Sequence, residues 1–244
     1  MAGGSLEVQV LGHRASAGGS PFRSKRSPRC RGLNAVRLGM LVAILHAVAC
    51  ASDATPSLLR AVQENDLGLI EQLLAEGRDV NSQNSNGSTL LHHAAYAGGA
   101  VLVELLITRG ADVNAKGNGV TPLHYAALKG RGQVIAVLLE YGAEVDPRSL
   151  HGNTPLFHAS KGGHLEAAEL LLGAGAAFDS TGAGGRSPLH AAAAGGHEEL
   201  VLVLMDAGAD VAIEMDDGAT PLDLAMIRRN NSAAIRLLER RAAY

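Results

Sequence analysis

Between residues 121 and 141 the apolar side chains fall in two short bursts, each with helical spacing. Leu123, Ala126 and Ala127 mark one face of a first helix, and Val134, Val137 and Leu138 mark one face of a second. Thr121 opens the first helix as an N-cap, its hydroxyl placed to accept from an orphan amide. Pro122 brings the φ that a first helical residue needs and has no amide hydrogen to leave unmet. Gly130 ends the first helix as a residue tolerant of positive φ, Gly142 closes the second, and Ala143, Glu144, Val145 and Asp146 lead into a turn. The pattern predicts a helix–turn–helix unit in an all-α fold. Its small residues let neighbouring helices approach closely.

The unit repeats. T-L-L-H-H-A-A begins at Thr89, T-P-L-H-Y-A-A at Thr121, T-P-L-F-H-A-S at Thr154, S-P-L-H-A-A-A at Ser187 and T-P-L-D-L-A-M at Thr220, at intervals of 32, 33, 33 and 33 residues. Self-similarity at this period predicts a solenoid of stacked units in place of one central core. A second phrase recurs with it: Gly110-Ala-Asp-Val-Asn114, echoed by Gly208-Ala-Asp-Val211 and Gly77-Arg-Asp-Val-Asn81.

Together the two phrases resemble the ankyrin repeat over about residues 56–244. The resemblance implies an all-α solenoid of about six helix-turn-helix units with projecting β-turn loops: 56–88, 89–120, 121–153, 154–186, 187–219 and 220–244. The first unit lacks T-P-L-H but keeps the apolar frame in Leu58, Ala61, Leu69, Ile70, Leu73 and Leu74. Its polar Arg60, Gln63, Glu64 and Asp66 suit an end cap, as do Arg236, Glu239, Arg240 and Arg241 in the last unit, so the array is expected to be complete. Departures mark expected weak spots. Leu90 replaces the proline, one residue is missing from the Lys116–Gly119 turn, and Phe157 and Asp223 replace the histidine. Thr181-Gly-Ala-Gly-Gly185 is expected to be a mobile turn.

Composition agrees with thin, closely packed helices: aromatics are 3 % of the 244 residues and tryptophan is absent. Charge divides the chain. Residues 1–52 hold seven Lys/Arg against Glu7 alone, about +6, and the remainder holds 14 against 23 Asp/Glu, or −9. Such an acidic body is a poor nucleic-acid binder. Both cysteines, Cys30 and Cys50, precede the repeats, which therefore owe nothing to disulfides or thiolates.

Residues 1–52 are Arg-, Ser- and Gly-rich up to Arg37, and an uncharged apolar run follows from Leu38 to Ala51. The run is short for a membrane span but suits the hydrophobic part of a signal peptide, with Ala47, Ala49 and Ala51 as a small-residue cleavage end. The long basic stretch also fits an organelle transit peptide, and Ala47-Val-Ala-Cys50 distantly resembles a lipoprotein box. A disordered leader, or initiation at Met40, is the bland alternative. The expectation is export or organelle targeting, with a cytoplasmic location as the alternative.

Ten histidines raise metal or general-base chemistry. His92, His124 and His190 hold one position of the repeat, where the resemblance implies a hydrogen bond between neighbouring units. Recurring once per unit, they stand too far apart to share an ion. His164 and His197 follow glycine at the turn between helices and read as structural. A His151/His158 metal pair has neither cysteine nor H-x-x-x-H spacing behind it. No G-x-S-x-G elbow occurs, and Gly182–Gly185 lacks the lysine and strand of a phosphate loop. The sequence is therefore expected to be non-enzymatic, monomeric, and without cofactor, metal or small-molecule substrate.

What remains is surface. The resemblance places variable positions at the turn tips and on the exposed side of each first helix. The expected partner-binding residues are Asn86, Ser88 and Tyr96; Val120, Tyr125, Leu128 and Lys129; Leu150, His151, Asn153 and Lys161; then Arg186, and finally Asp216, Asp217 and Arg228. Tyr96 and Tyr125 stand out because aromatics are scarce, although packing between helices is a second reading of Tyr125. Ala191 and Ala194 predict a shallow notch in the fifth unit. A protein-binding scaffold, adaptor or regulator is the expected function. The alternatives are a membrane-tethered or envelope component held by residues 38–51 and an unrecognised hydrolase or metal enzyme.

Overall fold

The computed structural model describes residues 54–227 together with 229, 232, 235–237 and 239. The targeting readings of residues 1–52 and the binding role expected of Arg228 lie outside the described residues. Helices alternate in pairs: α1 (Ala54–Glu64) with α2 (Leu67–Ala75), α3 (Leu90–Ala97) with α4 (Ala100–Thr108), and α5 (Pro122–Leu128) with α6 (Gly132–Glu140). They continue as α7 (Pro155–Gly162) with α8 (Leu165–Gly173) and α9 (Pro188–Gly195) with α10 (Glu198–Asp206), followed by α11 (Pro221–Ile227). Among the described residues one 3-10 turn spans Ala183–Gly185. Among the described residues none of the helices is long and apolar enough to cross a membrane.

The first helices pack in order α1, α3, α5, α7, α9, α11, and α4, α6, α8 and α10 stack behind them. The core is one row of buried side chains repeated at each junction. Leu91, Leu123, Leu156 and Leu189 fill one position of the first helices, and Leu106, Leu138, Leu171 and Leu204 one position of the second. Each is almost fully removed from water, which is worth roughly 2 kcal/mol per leucine. Ala94, Ala126, Ala159 and Ala192 are equally buried between them, so backbones come close where larger side chains would hold them apart.

A second row joins the loops that follow the second helices. Asn81 donates from Nδ2 to the Gly110 carbonyl at 2.9 Å, while its Oδ1 accepts the Asp112 amide at 2.8 Å. Asn114 does the same to Gly142 (3.2 Å) and Glu144 (2.9 Å). Asp146 holds the next equivalent place and keeps half of this: Oδ2 accepts the Ala177 amide at 2.9 Å, and Oδ1 is buried without a partner. A carboxylate has no N–H to give to a carbonyl.

Two of the expected weak spots are firmly built. The tip with one residue fewer closes as a two-residue hairpin: Gly117 and Val120 exchange both backbone bonds, at 2.9 and 3.0 Å, around Asn118 (φ 49) and Gly119 (φ 75). Two positive φ values in an Asn-Gly pair make a type I′ turn, which asparagine and glycine adopt most readily. The glycine-rich Thr181–Gly185 turn is stitched to both neighbouring tips. Ala183 donates to the His151 carbonyl at 2.7 Å, and Asp216 donates to that of Gly184 at 3.1 Å. A Cβ on Gly182 would run into Asn153 Oδ1. Close approach accounts for glycine at 182, and positive φ for glycine at 184 and 185.

Candidate functional site

The histidine row is built into the scaffold. His124 Nδ1 lies 3.0 Å from the Thr121 amide nitrogen, and Nε2 lies 3.0 Å from the Asn153 carbonyl oxygen in the next tip. A backbone N–H can only donate, so Nδ1 accepts and the ring proton sits on Nε2, which donates across the junction. His92 (to Val120, 3.0 Å) and His190 (to Ala219, 3.1 Å) repeat this arrangement. Burial holds all three below the usual histidine pKa, as a neutral bridging ring requires. His164 points the other way, its Nε2 3.0 Å from the Leu128 carbonyl oxygen of the preceding unit. These rings are occupied in holding units together.

Asp223 at the last histidine position keeps the backward bonds, accepting from the Thr220 amide (2.9 Å) and hydroxyl (2.6 Å). Phe157 keeps neither. It is nearly buried, and an aryl ring has nothing to offer the Arg186 carbonyl, which holds the place of Val120 and Asn153. The changes around it are concentrated. His158 packs edge-on between His124 (5.6 Å between centroids) and Phe157 (5.9 Å), and neither of its ring nitrogens has a partner. Burial drives its pKa down to about 4. Ser160 Oγ and Arg186 Nε are also buried and unpartnered. His151 sits exposed at a tip, whereas His158 lies inside the stack, so the structure does not bring together the pair considered for a metal.

On the open side of the first helices the expected surface residues divide into two groups. Tyr96 is 45 % exposed and meets Tyr125 edge-on at 6.0 Å; Tyr125 also meets His92 at 5.8 Å. Tyr125 is half-buried and thus packs between α3 and α5 while still lining a recess of about 230 Å³ with Ser88, His92, His93 and Tyr96. Lys129 places its ammonium 4.4 Å over the Tyr96 ring, a cation–π contact. Leu128 is half-buried, and Leu150 is 77 % exposed at its tip, lying against Gly119. His93 was missed as a wall of this recess; its signal was the polar ring beside His92 in T-L-L-H-H.

Other residues serve the scaffold as well as the surface. Val120 and Asn153 receive the histidine bridges through their carbonyls, and the Asn153 side chain abuts Gly182. Ser88 donates its amide to Asn84 Oδ1. Asn86, Lys161, Asp216 and Asp217 are exposed. Farther along, Phe157, Lys161, Arg186, Ala191, Ala194 and Gly195 line a notch of about 320 Å³. Ala191 stands where other units carry His93, Tyr125 and His158, and the missing ring leaves the space.

A family model for ankyrin repeats in three copies matches residues 58–149 and 156–243, and a second for many copies matches residues 133–172. The chain belongs to the ankyrin repeat family. Ankyrin repeats are commonly protein-interaction modules and generally non-enzymatic. Among curated proteins this ankyrin chain is similar to the mouse 2-5A-dependent ribonuclease, 44 % identical over 57 residues, 23 % of this chain and 8 % of that one. It is also similar to the mouse B-cell lymphoma 3 protein homolog, 40 % identical over 68 residues (28 % and 15 %). The potassium channel AKT1 of Oryza sativa subsp. indica is 40 % identical over 53 residues (22 % and 6 %). The matched stretch is thus at most 15 % of each of these relatives.

Proposed function

We propose that the array binds a protein partner through its first helices and turn tips and performs no chemistry itself, acting as a scaffold, adaptor or regulator. One observation carries this reading. Tyr96 exposes apolar surface (45 %) beside a recess walled by a second tyrosine, and Leu150 is 77 % exposed at a turn tip, in a chain with few aromatics. Exposed aromatic and aliphatic anchors next to a pocket are the usual makings of an interface centre. The surface is held in place by the histidine bridges beneath it, so a partner meets a preformed face and little ordering entropy is lost on binding. The net charge of −9 on the repeats disfavours nucleic acid as the partner.

Replacing Tyr96, Leu128 and Leu150 together by alanine tests the proposal. The variant is expected to keep its circular dichroism spectrum while partner recovery in pull-down falls at least about tenfold, the loss of one strong anchor. Full recovery from the folded variant would reject the assignment.

A further inference from the structure

We propose that the notch between α7 and α9 receives an acidic side chain, aspartate or glutamate, of a bound protein segment. The inference rests on the protein-binding reading and gives that partner a chemistry. The notch exists because α9 carries alanine at 191 and 194 and glycine at 195, where α3 carries His93, Tyr96 and Ala97 and α5 carries Tyr125, Leu128 and Lys129. Its apolar side is Phe157, standing where other units hold a bridging histidine. Its polar side is two cations, Lys161 and Arg186.

Neither cation has an ion-pair partner among the described residues. Among the described residues the ion pairs join Arg60 to Glu64, Arg109 to Glu71, and Arg236 to Glu198 and Glu239; none includes Lys161 or Arg186. The carboxylates of the following tip are turned to other uses. Asp217 Oδ1 accepts the Ala219 amide of its own turn at 3.1 Å, and Asp216 Oδ1 lies against Gly185. Arg186 Nε is buried with no acceptor. A buried guanidinium N–H without an acceptor carries its full desolvation penalty, and a carboxylate is the acceptor whose geometry matches it. Lys161 adds a second positive charge at the same mouth. The repeats as a whole are acidic, and two cations without an ion-pair partner among the described residues favour an acidic segment at this mouth over a basic one. The aliphatic stem of the incoming side chain lies on Phe157 and the alanines. A bare anion leaves that side empty.

The test is nuclear magnetic resonance on the isotope-labelled full chain. The probes are the capped pentapeptide Ala-Ala-Glu-Ala-Ala, its glutamine counterpart, and inorganic phosphate. The glutamate peptide is expected to shift the Arg186 Nε–H and the amides of Ala191, Ala194 and Gly195 saturably, with affinity about tenfold above the glutamine peptide, as charge-assisted bonds predict. Arg186→Gln is expected to abolish that preference, and Lys161→Gln, at an exposed position where the fold is safe, to reduce it several-fold. Equal responses to the two peptides, responses only at Tyr96 or Leu150, no response, or phosphate binding as well as the glutamate peptide would each overturn the proposal. The two proposals fail separately. The Tyr96, Leu128 and Leu150 variant leaves the notch intact, and the peptide comparison does not involve the tyrosine recess.

Discussion

The junction between α3 and α5 and the junction between α7 and α9 are written on the same repeat and differ in one bridging side chain. In the first, His92 ties the Thr89 amide to the Val120 carbonyl across the boundary. In the second, Phe157 leaves the equivalent carbonyl, that of Arg186, without a ring to meet it. The first junction is fully satisfied and carries an exposed tyrosine over a recess. The second gathers buried unpartnered atoms, in His158, Ser160 and Arg186, beside an open notch. Letters common to all units make the stack stable. The unit that abandons one of them loses its bridge, and the small residues of the next unit leave an opening beside it.

The largest effect that bears on this contrast is removal of a bridge. His124→Ala strips the Thr121 amide of its acceptor and the Asn153 carbonyl of a donor, and is expected to cost about 3 kcal/mol, seen as a lower urea midpoint. A loss under about 1 kcal/mol would mean that the bridged and unbridged junctions are energetically alike.

Acid is expected to come next. The folded pKa of His158 is about 4, below the unfolded value of about 6.5, so between them the unfolded chain binds more protons. Its contribution is complete above pH 6.5 or so and is lost as pH falls toward 4, worth about 3 kcal/mol. The bridging histidines, also held low, add to the same slope. Denaturant midpoints measured across this range should fall with pH, and His158→Phe should make the fall shallower. A variant with an unchanged slope would remove His158 from the account.

The smallest effect is a repair. Asp146→Asn restores an N–H toward the Gly175 carbonyl, the equivalent of Gly110 and Gly142, and is expected to raise stability by about 1 kcal/mol, visible as a higher thermal midpoint. No gain would show that the buried Oδ1 of Asp146 has found water.

Much of this was legible in the chain. The helix pairs follow from Leu123, Ala126 and Ala127 and their equivalents, the caps from Thr and Pro, and the notch from Ala191 and Ala194. The histidine row, too, could be placed between units by its recurrence. What periodicity could not supply is who meets whom about thirty residues away. The asparagine bridges of Asn81 and Asn114 depend on the spacing between stacked loops, and so does the fit of Asn153 against Gly182. Thr181–Gly185 looked loose because glycine has the same letter whether it gives freedom or makes room. Conversely, Asn118-Gly119 carried a turn signal strong enough to account for the shorter tip, since both residues accept positive φ. Tyr125 was open to two readings; it packs at the junction and still lines the recess, because a ring there can pack on one edge and face outward on the other.

The two-ended bond of His124 also bears on how such a chain can change its length. A segment from one bridging histidine to the next begins and ends with the same half-bond. Copying residues 121–153 in tandem would therefore join like to like and leave no new seam. Copying 154–186 would duplicate a seam that lacks its bridge, and the opening, which needs Ala191, Ala194 and Gly195 of the following unit, would not be copied with it. The array can lengthen at small risk from some of its units, and only at a loss in cohesion from one.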